Sequence, residues 1–324
     1  MEKRKGCKIL LVGFITLVIS GVSLALAASD YPNRPIEIIV PNEPGGGMDF
    51  INALFKSKVE KIIGQPMILV YKAGAGGMIG TLYAKKCKPD GYSLLATSPS
   101  TFVLPALTRK EAEYTLNDFI PICNLTEVSL CFCAKEDGPY KTMQQFIQAA
   151  KTKKLKCGNH GAFSLAHIAT EALGKAAGFQ PNHIPYKGAA AVMTAAIGGH
   201  VDMAVAGTTA FLGPGKLRLL AVESEKRLKR HPDVPTLKEL GYHISIRVYY
   251  SLWGPKGIPK DIVNKIYEAY KKALEVNRDE ITKIANEQDH TILFSDGKEL
   301  RKYYEDSWDS LKKILKDMGD VLTK

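Results

Sequence analysis

A run of glycines follows the first strand-like segment, and its residue types suit the binding of an anion. The stretch Pro41-Asn42-Glu43-Pro44-Gly45-Gly46-Gly47-Met48-Asp49 comes after apolar residues 36–40 and before a helical pattern. Glycines let backbone N–H groups face a cleft without an obstructing Cβ, and a helix N-terminus carries partial positive charge. Asp49 is in position to cap that helix. A purely structural glycine-rich turn is the alternative, and this loop alone does not separate the two.

A second loop, Gly74-Ala75-Gly76-Gly77-Met78-Ile79-Gly80, again lies between a strand pattern and a helix pattern. Ile79 stands where a dinucleotide-binding loop has its third glycine, and no Lys-Ser/Thr pair of a phosphate-binding loop follows. The hydroxyl-rich stretch 97–101, with Ser98 and Thr101, comes after the third strand. Because ligands in open α/β sheets bind at the carboxyl ends of strands, the three segments predict one binding edge.

The second half of the chain offers a comparable junction at 158–167. Ser164 is a good N-cap for the helix that follows, and its hydroxyl can cap that helix or face a ligand. His167 lies one turn into the helix, where it pairs with a carboxylate when protonated or packs on its own helix face. His160 precedes the cap on the same loop.

The patterns of common catalytic and metal sites are not found in this sequence. His160 and His167 lack the spacing and the acid of H-E-x-x-H, and there is no G-x-S-x-G. We therefore predict no metal, no cofactor and no catalytic residues, and expect binding loops instead of an enzyme's reacting groups.

Short strand-like runs alternate with helical patterns and must position these loops. In the first half the patterns predict strands at 36–40, 67–71 and 92–96 and helices at 49–63 and 78–87. In the second half they predict strands at 129–134, 154–157, 183–185, 201–206 and 217–222, and helices at 143–151, 165–177, 188–197, 260–275 and 297–318. This order predicts an α/β protein in which mostly parallel sheets are flanked by helices.

Residues 1–27 read as a secretory signal peptide. Four basic residues precede an apolar run, and Ala25-Leu26-Ala27 is a small-x-small cleavage site. A retained membrane anchor is the alternative, since the run is about long enough to span a bilayer. Cleavage removes four Lys/Arg and one Glu, which lowers the net charge from +11 to +8. The basic residues are spread along the chain, so we expect a solvated surface and no nucleic-acid partner.

Five cysteines remain after cleavage, and an odd number leaves at least one thiol without an intramolecular partner. Cys131-Phe132-Cys133 suits neither a local disulfide nor a zinc knuckle. We expect buried thiols, although an exported protein can also form disulfides.

Many short motifs occur in a fixed order across nearly the whole mature chain. They are Tyr31-Pro32-x-Arg34-Pro35-Ile36, Pro41-x-x-Pro44-Gly45-Gly46-Gly47-x-Asp49, Gly64-Gln65-Pro66, Gly74-Ala75-Gly76-Gly77-x-Ile79-Gly80, Pro89-Asp90-Gly91-Tyr92, Pro185-Tyr186-Lys187-Gly188, Gly198-Gly199-x-Val201-Asp202, Gly215-Lys216-Leu217-Arg218-x-Leu220-Ala221-Val222, Pro232-Asp233-Val234-Pro235-Thr236 and Gly257-Ile258-Pro259-x-x-Ile262-Val263. With these motifs the chain resembles the solute-binding receptors of tripartite tricarboxylate transporters, also called the Bug family.

The resemblance implies a two-lobed periplasmic-binding-protein fold of the second type. It implies a small carboxylate, such as a di- or tricarboxylate, held between the lobes by backbone amides and water and delivered to integral-membrane permease subunits. The two glycine loops match the family's carboxylate-holding loops. Three features depart from the family's pattern: Glu43 in the first loop, the segment Cys157-Gly158-Asn159-His160, and Tyr249 in place of Trp.

Three functions were weighed: an exported transport receptor, a sensor that signals to a kinase, and an exported α/β hydrolase-like enzyme. The first is our expectation, with a periplasmic monomer as the active form. We expect residues 30–127 and 248–324 to form domain 1 and residues 128–247 to form domain 2, with a hinge between them. The predicted ligand-binding residues are Pro44, Gly45, Gly46, Gly47, Asp49, Gly76, Gly77, Met78, Ser98, Thr101, His160, Ser164, His167 and Thr208.

Overall fold

A computed structural model describes residues 31–161, 164–207, 212–213, 215–244 and 246–317. The predicted signal peptide and Thr208 lie outside the described residues. The chain forms two β-sheets with helices packed against them, which confirms the predicted α/β class.

The first sheet has six strands in the order β11-β4-β10-β3-β1-β2. Its strands are β1 (Ile36–Val40), β2 (Met67–Tyr71), β3 (Ser93–Thr97), β4 (Phe119–Val128), β10 (Val248–Pro255) and β11 (His290–Asp296). Strand β1 pairs in parallel with both β2 and β3. The carboxyl ends of these three strands therefore share one edge of the sheet, as the sequence predicted.

The second sheet has five strands in the order β7-β6-β8-β5-β9. Its strands are β5 (Leu130–Lys135), β6 (Lys156–Asn159), β7 (Asn182–Pro185), β8 (Met203–Ala206) and β9 (Leu217–Glu223). Strand β6 pairs in parallel with β7 and β8, whereas β5 pairs antiparallel with β8 and β9.

The prediction that both sheets are mostly parallel is wrong in detail. In the first sheet β10 runs antiparallel to β3 and β4, and β11 runs antiparallel to β4. Strands β4, β10 and β11 have no counterpart in the sequence-based assignment. Strand β4 contains Pro121 and Asn124, and β11 begins at His290, so these two strands do not alternate cleanly between apolar and polar residues.

Nine described helices cover the sheets. They are α1 (Gly47–Ile63), α2 (Met78–Lys85), α3 (Val103–Thr108), α4 (Met143–Ala150), α5 (Leu165–Ala177), α6 (Ala189–Ile197), α7 (Lys260–Val276), α8 (Arg278–Glu287) and α9 (Gly297–Asp317). Helix α7 packs beside α1, and α9 packs on β4 and α3 with a smaller contact to α5. Both C-terminal helices of the prediction thus lie mainly against the first sheet.

An aromatic cluster fills the core between the first sheet and α9. Phe102 stacks on Trp253, with ring centroids 5.7 Å apart, and both contact Tyr304. The hydroxyl of Ser251 lies 2.7 Å from that of Tyr304 and accepts a hydrogen bond from the Trp253 indole at 3.0 Å. Because each polar atom in this cluster has a partner, the burial of the three rings leaves no unsatisfied group there.

The thiols lie mostly in these cores. Four of the five described cysteine side chains are buried and Cys87 is half-buried, with no disulfide among them. Burial raises the pKa of the Cys157 thiol to about 12, which keeps it protonated and unreactive at neutral pH. Among the described helices none has the length and apolar content needed to cross a membrane.

Candidate functional site

The first glycine loop joins β1 to α1, and Asp49 organises it. The Asp49 carboxylate accepts hydrogen bonds from the Gly45 amide at 2.8 Å and from the Tyr71 hydroxyl at 2.5 Å. The prediction that Asp49 caps the helix is wrong: Gly46 is the N-cap residue, no side chain caps it, and Asp49 instead ties down the loop before the helix. The Gly45 amide is already engaged, so the loop's donors for a ligand are the amides at the start of α1, which lack intrahelical acceptors.

Behind the first loop the glycine at position 47 faces buried polar side chains. A Cβ on Gly47 would lie 2.8 Å from the Tyr250 hydroxyl and 3.2 Å from Cε1 of His290. His290 is almost fully buried, and burial lowers its pKa to about 4. The imidazole is therefore neutral at pH 7, and Gly47 is needed for close packing on this pair.

The second glycine loop joins β2 to α2 through four consecutive residues with positive φ, from Gly74 to Gly77. A Cβ on Gly77 would lie only 2.5 Å from Cβ of Thr101, so the loop packs directly on the segment that follows β3. The Thr101 hydroxyl lies 3.0 Å from that of Thr97 and accepts a hydrogen bond from the Ser98 amide at 3.1 Å. The hydroxyls predicted at this edge thus bond mainly to one another.

The junction between β6 and α5 supplies the opposite wall. Ser164 is the N-cap of α5, and its hydroxyl accepts a hydrogen bond from the His167 amide at 3.3 Å. His160 lies just before it, with a buried Nδ1 atom that has no hydrogen-bond partner among the described residues. Burial lowers the pKa of His160, and a hydrogen bond to the Val205 backbone opposes that shift. The neutral ring therefore donates from Nε2 and presents Nδ1 as an acceptor.

A cavity of about 410 Å³ lies between these loops, with walls from both sheets. Its wall includes Pro41, Asn42, Glu43, Ala73, Gly74, Gly76, Gly77, Ser100, Thr101, Leu104, Pro105, Thr108, Arg109, His160, Gly161 and Ser164. Of the predicted ligand-binding residues, Gly76, Gly77, Thr101, His160 and Ser164 line this cavity. Pro44, Gly45, Gly46, Gly47, Asp49, Met78, Ser98 and His167 lie outside its wall.

Two charged side chains in the wall were not predicted as ligand-binding residues. Glu43 was noted only as a departure from the family pattern, and Arg109 was not singled out because α3, which it follows, was not recognised. Neither side chain forms an ion pair or a hydrogen bond with another described residue. Next to Glu43, the buried Oδ1 of Asn42 also lacks a partner within the described part of the chain. The wall therefore includes one acidic and one basic side chain, both of them exposed.

His167 lies in a separate cluster with Glu171 and His183, whose ligand-type atoms are within 4.8 Å of one another. The cluster fits a hydrogen-bonded chain better than a metal ion. The side-chain oxygen of Asn159 accepts a hydrogen bond from the Gly161 N–H, so the side-chain NH2 group of Asn159 donates to Nδ1 of His183. The ring proton of His183 is then on Nε2, which lies 2.6 Å from the Glu171 carboxylate. The two imidazoles also stack with centroids 3.9 Å apart, whereas a shared metal must lie near both ring planes.

The surroundings of His167 favour packing, one of the two roles that the sequence allowed for it. Burial lowers its pKa to about 4, with a smaller contribution from His183. The ring is therefore neutral at pH 7 and does not offer a cation to a carboxylate. Packing in the cluster, the alternative weighed from the sequence, agrees with this geometry.

Comparison with known proteins decides the family. The model of the tripartite tricarboxylate transporter family receptor matches residues 52–320. The chain belongs to this receptor family. A relative from Cupriavidus necator, described as the UPF0065 protein in the gbd 5′ region, is 39% identical over 254 residues, which is 77% of each chain. BugT from Bordetella pertussis is 30% identical and is matched over 83% of this chain and 85% of its own.

Solved structures show the same fold. A ligand-free TctC solute-binding protein from Polaromonas is 32% identical, with a TM-score of 0.74 over 89% of this chain and 99% of its own. MatC from Rhodopseudomonas palustris, solved with malate, is 22% identical, with a TM-score of 0.77 over 88% and 99% of the two chains. A second protein of that organism, solved with adipate, is 23% identical, with a TM-score of 0.80 over 89% and 98%. The last two likenesses establish the receptor fold alone.

Proposed function

We propose that this chain is an exported receptor that captures a small organic acid between two lobes and delivers it to a membrane permease. The observation that carries the proposal is the cavity of about 410 Å³ between loops of both sheets. Helix α2 begins directly after Gly77 of its wall, and a helix N-terminus favours an anion. Proteins of the same fold solved with malate and adipate support a carboxylate as the ligand.

For the lobes, we propose residues 30–127 with 248–324 as the first and residues 128–247 as the second. The membership of the two sheets supports this division, since the chain passes between them at β4–β5 and again before β10. Arg247 supports a hinge at these crossings. Its guanidinium lies 3.2 Å from Glu127, near the end of β4, and 2.6 Å from Glu225, just after β9.

For the ligand, we propose that one carboxylate lies at the start of α1 and of the second glycine loop. Within segments 45–47 and 76–78, the donors left for it are the amides of Gly46, Gly47 and Gly76. The amides of Gly45, Gly77 and Met78 already bond to Asp49, Gly74 and Ala75. Such donors stabilise an anion without a charged side chain. Ser164 and His160 contact the remainder of the ligand from the second lobe, and Thr208 belongs to the same proposal.

Native mass spectrometry first identifies any acid that the mature chain retains through purification. Calorimetry on the mature chain then tests the function. The titrants are succinate, malate, adipate and citrate. Gly46→Val is the informative variant, because a Cβ at this position meets only the Glu43 carbonyl, 4.0 Å away, and φ is −88°. Losing hydrogen bonds to a charged group should weaken binding about 10- to 100-fold.

Ala190→Val, on an exposed site of α6 away from the cavity, is the control and should bind like the wild type. A chain that retains no acid and binds none of the four would contradict the proposed function. Unchanged affinity in Gly46→Val would contradict the placement of the carboxylate alone. Cross-linking to permease subunits in membranes tests delivery separately.

A further inference from the structure

One buried amide ties the end of β6 to the edge strand β7. Asn159 is only 1% exposed, and its side chain accepts from the Gly161 N–H at 3.1 Å and donates to Nδ1 of His183 at 3.3 Å. An asparagine side chain has one acceptor oxygen and one NH2 group, so these two contacts fix its orientation. If the amide turned over, its NH2 group would face the Gly161 N–H. Gly161 therefore keeps its acceptor only while Nδ1 of His183 carries no proton.

Helix α5 fixes the ring of His183 from its other side. Nε2 of His183 lies 2.6 Å from the Glu171 carboxylate, and the ring stacks on that of His167 with centroids 3.9 Å apart. An ionised carboxylate only accepts hydrogen bonds, so Glu171 favours the tautomer with the proton on Nε2. That tautomer presents Nδ1 as the acceptor for Asn159. The orientation of the Asn159 amide is thus set by α5.

The hydrogen bonds continue from Gly161 into the cavity wall. The Gly161 carbonyl accepts from the Ser164 N–H at 3.1 Å, and the Ser164 hydroxyl accepts from the His167 N–H at 3.3 Å. Gly161, Ser164 and the intervening chain neighbour of Asn159, His160, all belong to the wall. Gly161 has φ +135° and nothing within 4 Å of its Cβ position, so packing at that position does not fix its conformation. Its hydrogen bonds do.

We propose that Asn159 and His183 are positioning residues, which hold the second-lobe wall of the cavity through the backbone of Gly161. This inference rests on the proposed function, because the wall affects binding only if a ligand lies against it. It gives a role to the segment Cys157-Gly158-Asn159-His160, one of the three departures from the family's pattern. Leucine at position 159 would be similar in size to asparagine but could make neither contact.

Magnetic resonance of the mature chain tests the hydrogen bonds without a ligand. In nitrogen spectra of the histidine rings, His183, assigned from its absence in His183→Phe, should carry its proton on Nε2. In Asn159→Asp the new carboxylate accepts both from the Gly161 N–H and from Nδ1, so His183 should carry both protons at neutral pH. The Gly161 amide should exchange with solvent about tenfold faster in Asn159→Leu, since its acceptor is gone, and should stay protected in Asn159→Asp.

Calorimetry with succinate, malate, adipate and citrate connects this positioning to binding. Each acid that the wild type binds should bind about 3- to 10-fold more weakly to Asn159→Leu, as expected for the loss of one hydrogen bond. Asn159→Asp should bind like the wild type, because the second proton of His183 neutralises the added charge. Asn182→Leu, at an exposed site of β7 outside the cavity wall, is the matched control. It should leave the Gly161 exchange rate and every affinity unchanged.

The inference is overturned if His183 carries its proton on Nδ1 in the wild type, or if Asn159→Leu leaves the Gly161 exchange rate or the affinities unchanged. If Asn159→Leu does not fold, the spectra of Asn159→Asp decide, and a singly protonated His183 in that variant overturns the inference. If the wild type binds none of the four acids, the proposed function fails. The spectra and exchange rates then still decide whether Asn159 and His183 hold the wall.

Discussion

Four glycines of the two loops allow a controlled test of how these loops are packed. Gly46 has φ −88° and open space at its Cβ position, whereas Gly45 has equally open space but φ +85°. Gly47 has a helical backbone but would place a Cβ 2.8 Å from the Tyr250 hydroxyl. Gly77 combines both obstacles, with φ +100° and a Cβ 2.5 Å from that of Thr101. Alanine at each position therefore separates backbone strain from steric overlap.

The expected losses in free energy of unfolding follow from these contacts. Gly46→Ala should cost only about 0.5–1 kcal/mol, because alanine is a poorer N-cap residue than glycine but meets no obstacle there. Gly45→Ala should cost about 1–2 kcal/mol for the left-handed backbone. Gly47→Ala should cost about 1–3 kcal/mol for overpacking. If strain and overlap add, Gly77→Ala should cost about 2–5 kcal/mol.

Urea unfolding of the four variants, followed by circular dichroism, measures these differences with the slope of each transition as a check on two-state behaviour. The reasoning is refuted if Gly77→Ala is no less stable than Gly45→Ala, because the contact with Thr101 would then contribute nothing. The series also shows why a valine at position 77 cannot report on ligand binding alone, whereas one at position 46 can.

Three further predictions concern pH and redox. Burial raises the pKa of Glu223 to about 8, so the folded protein binds this proton more tightly than the unfolded chain does. The free energy of unfolding should therefore fall as pH rises from about 4.5 through 8. Urea midpoints measured across this range should change less in Glu223→Gln than in the wild type. The pKa of His290 is lowered to about 4, so its contribution should be lost as pH falls from about 6.5 to 4, and His290→Phe should reduce that acid sensitivity. Dithiothreitol should leave the melting temperature unchanged, because the thiols of Cys87, Cys123, Cys131, Cys133 and Cys157 form no disulfide. A structural disulfide contributes about 2–4 kcal/mol, so its reduction would lower the melting temperature by several degrees.

The local structure of the site could be predicted from the sequence because short-range rules govern it. A glycine-rich segment between an apolar strand and an amphipathic helix requires positive φ, and Gly45, Gly74, Gly76 and Gly77 have it. Ser164 caps α5 because a serine hydroxyl satisfies an amide that the helix leaves open. The helix from 165 to 177 was predicted at its observed bounds for the same reason.

Long-range pairing decided what the sequence could not. Strand β4 has Pro121 and Asn124 in it, and it forms a strand because β10 and β11 supply partners on both sides. Arg109 and Glu43 share a cavity wall because α3 packs beside the second glycine loop, so neither residue's neighbours in the chain indicate its role. The neutral state of His167 likewise depends on His183 and on burial, both of which arise when β7 packs beside α5. Charge and strand pairing across distant segments are properties of the tertiary structure, whereas caps and turns are already determined by a few adjacent residues.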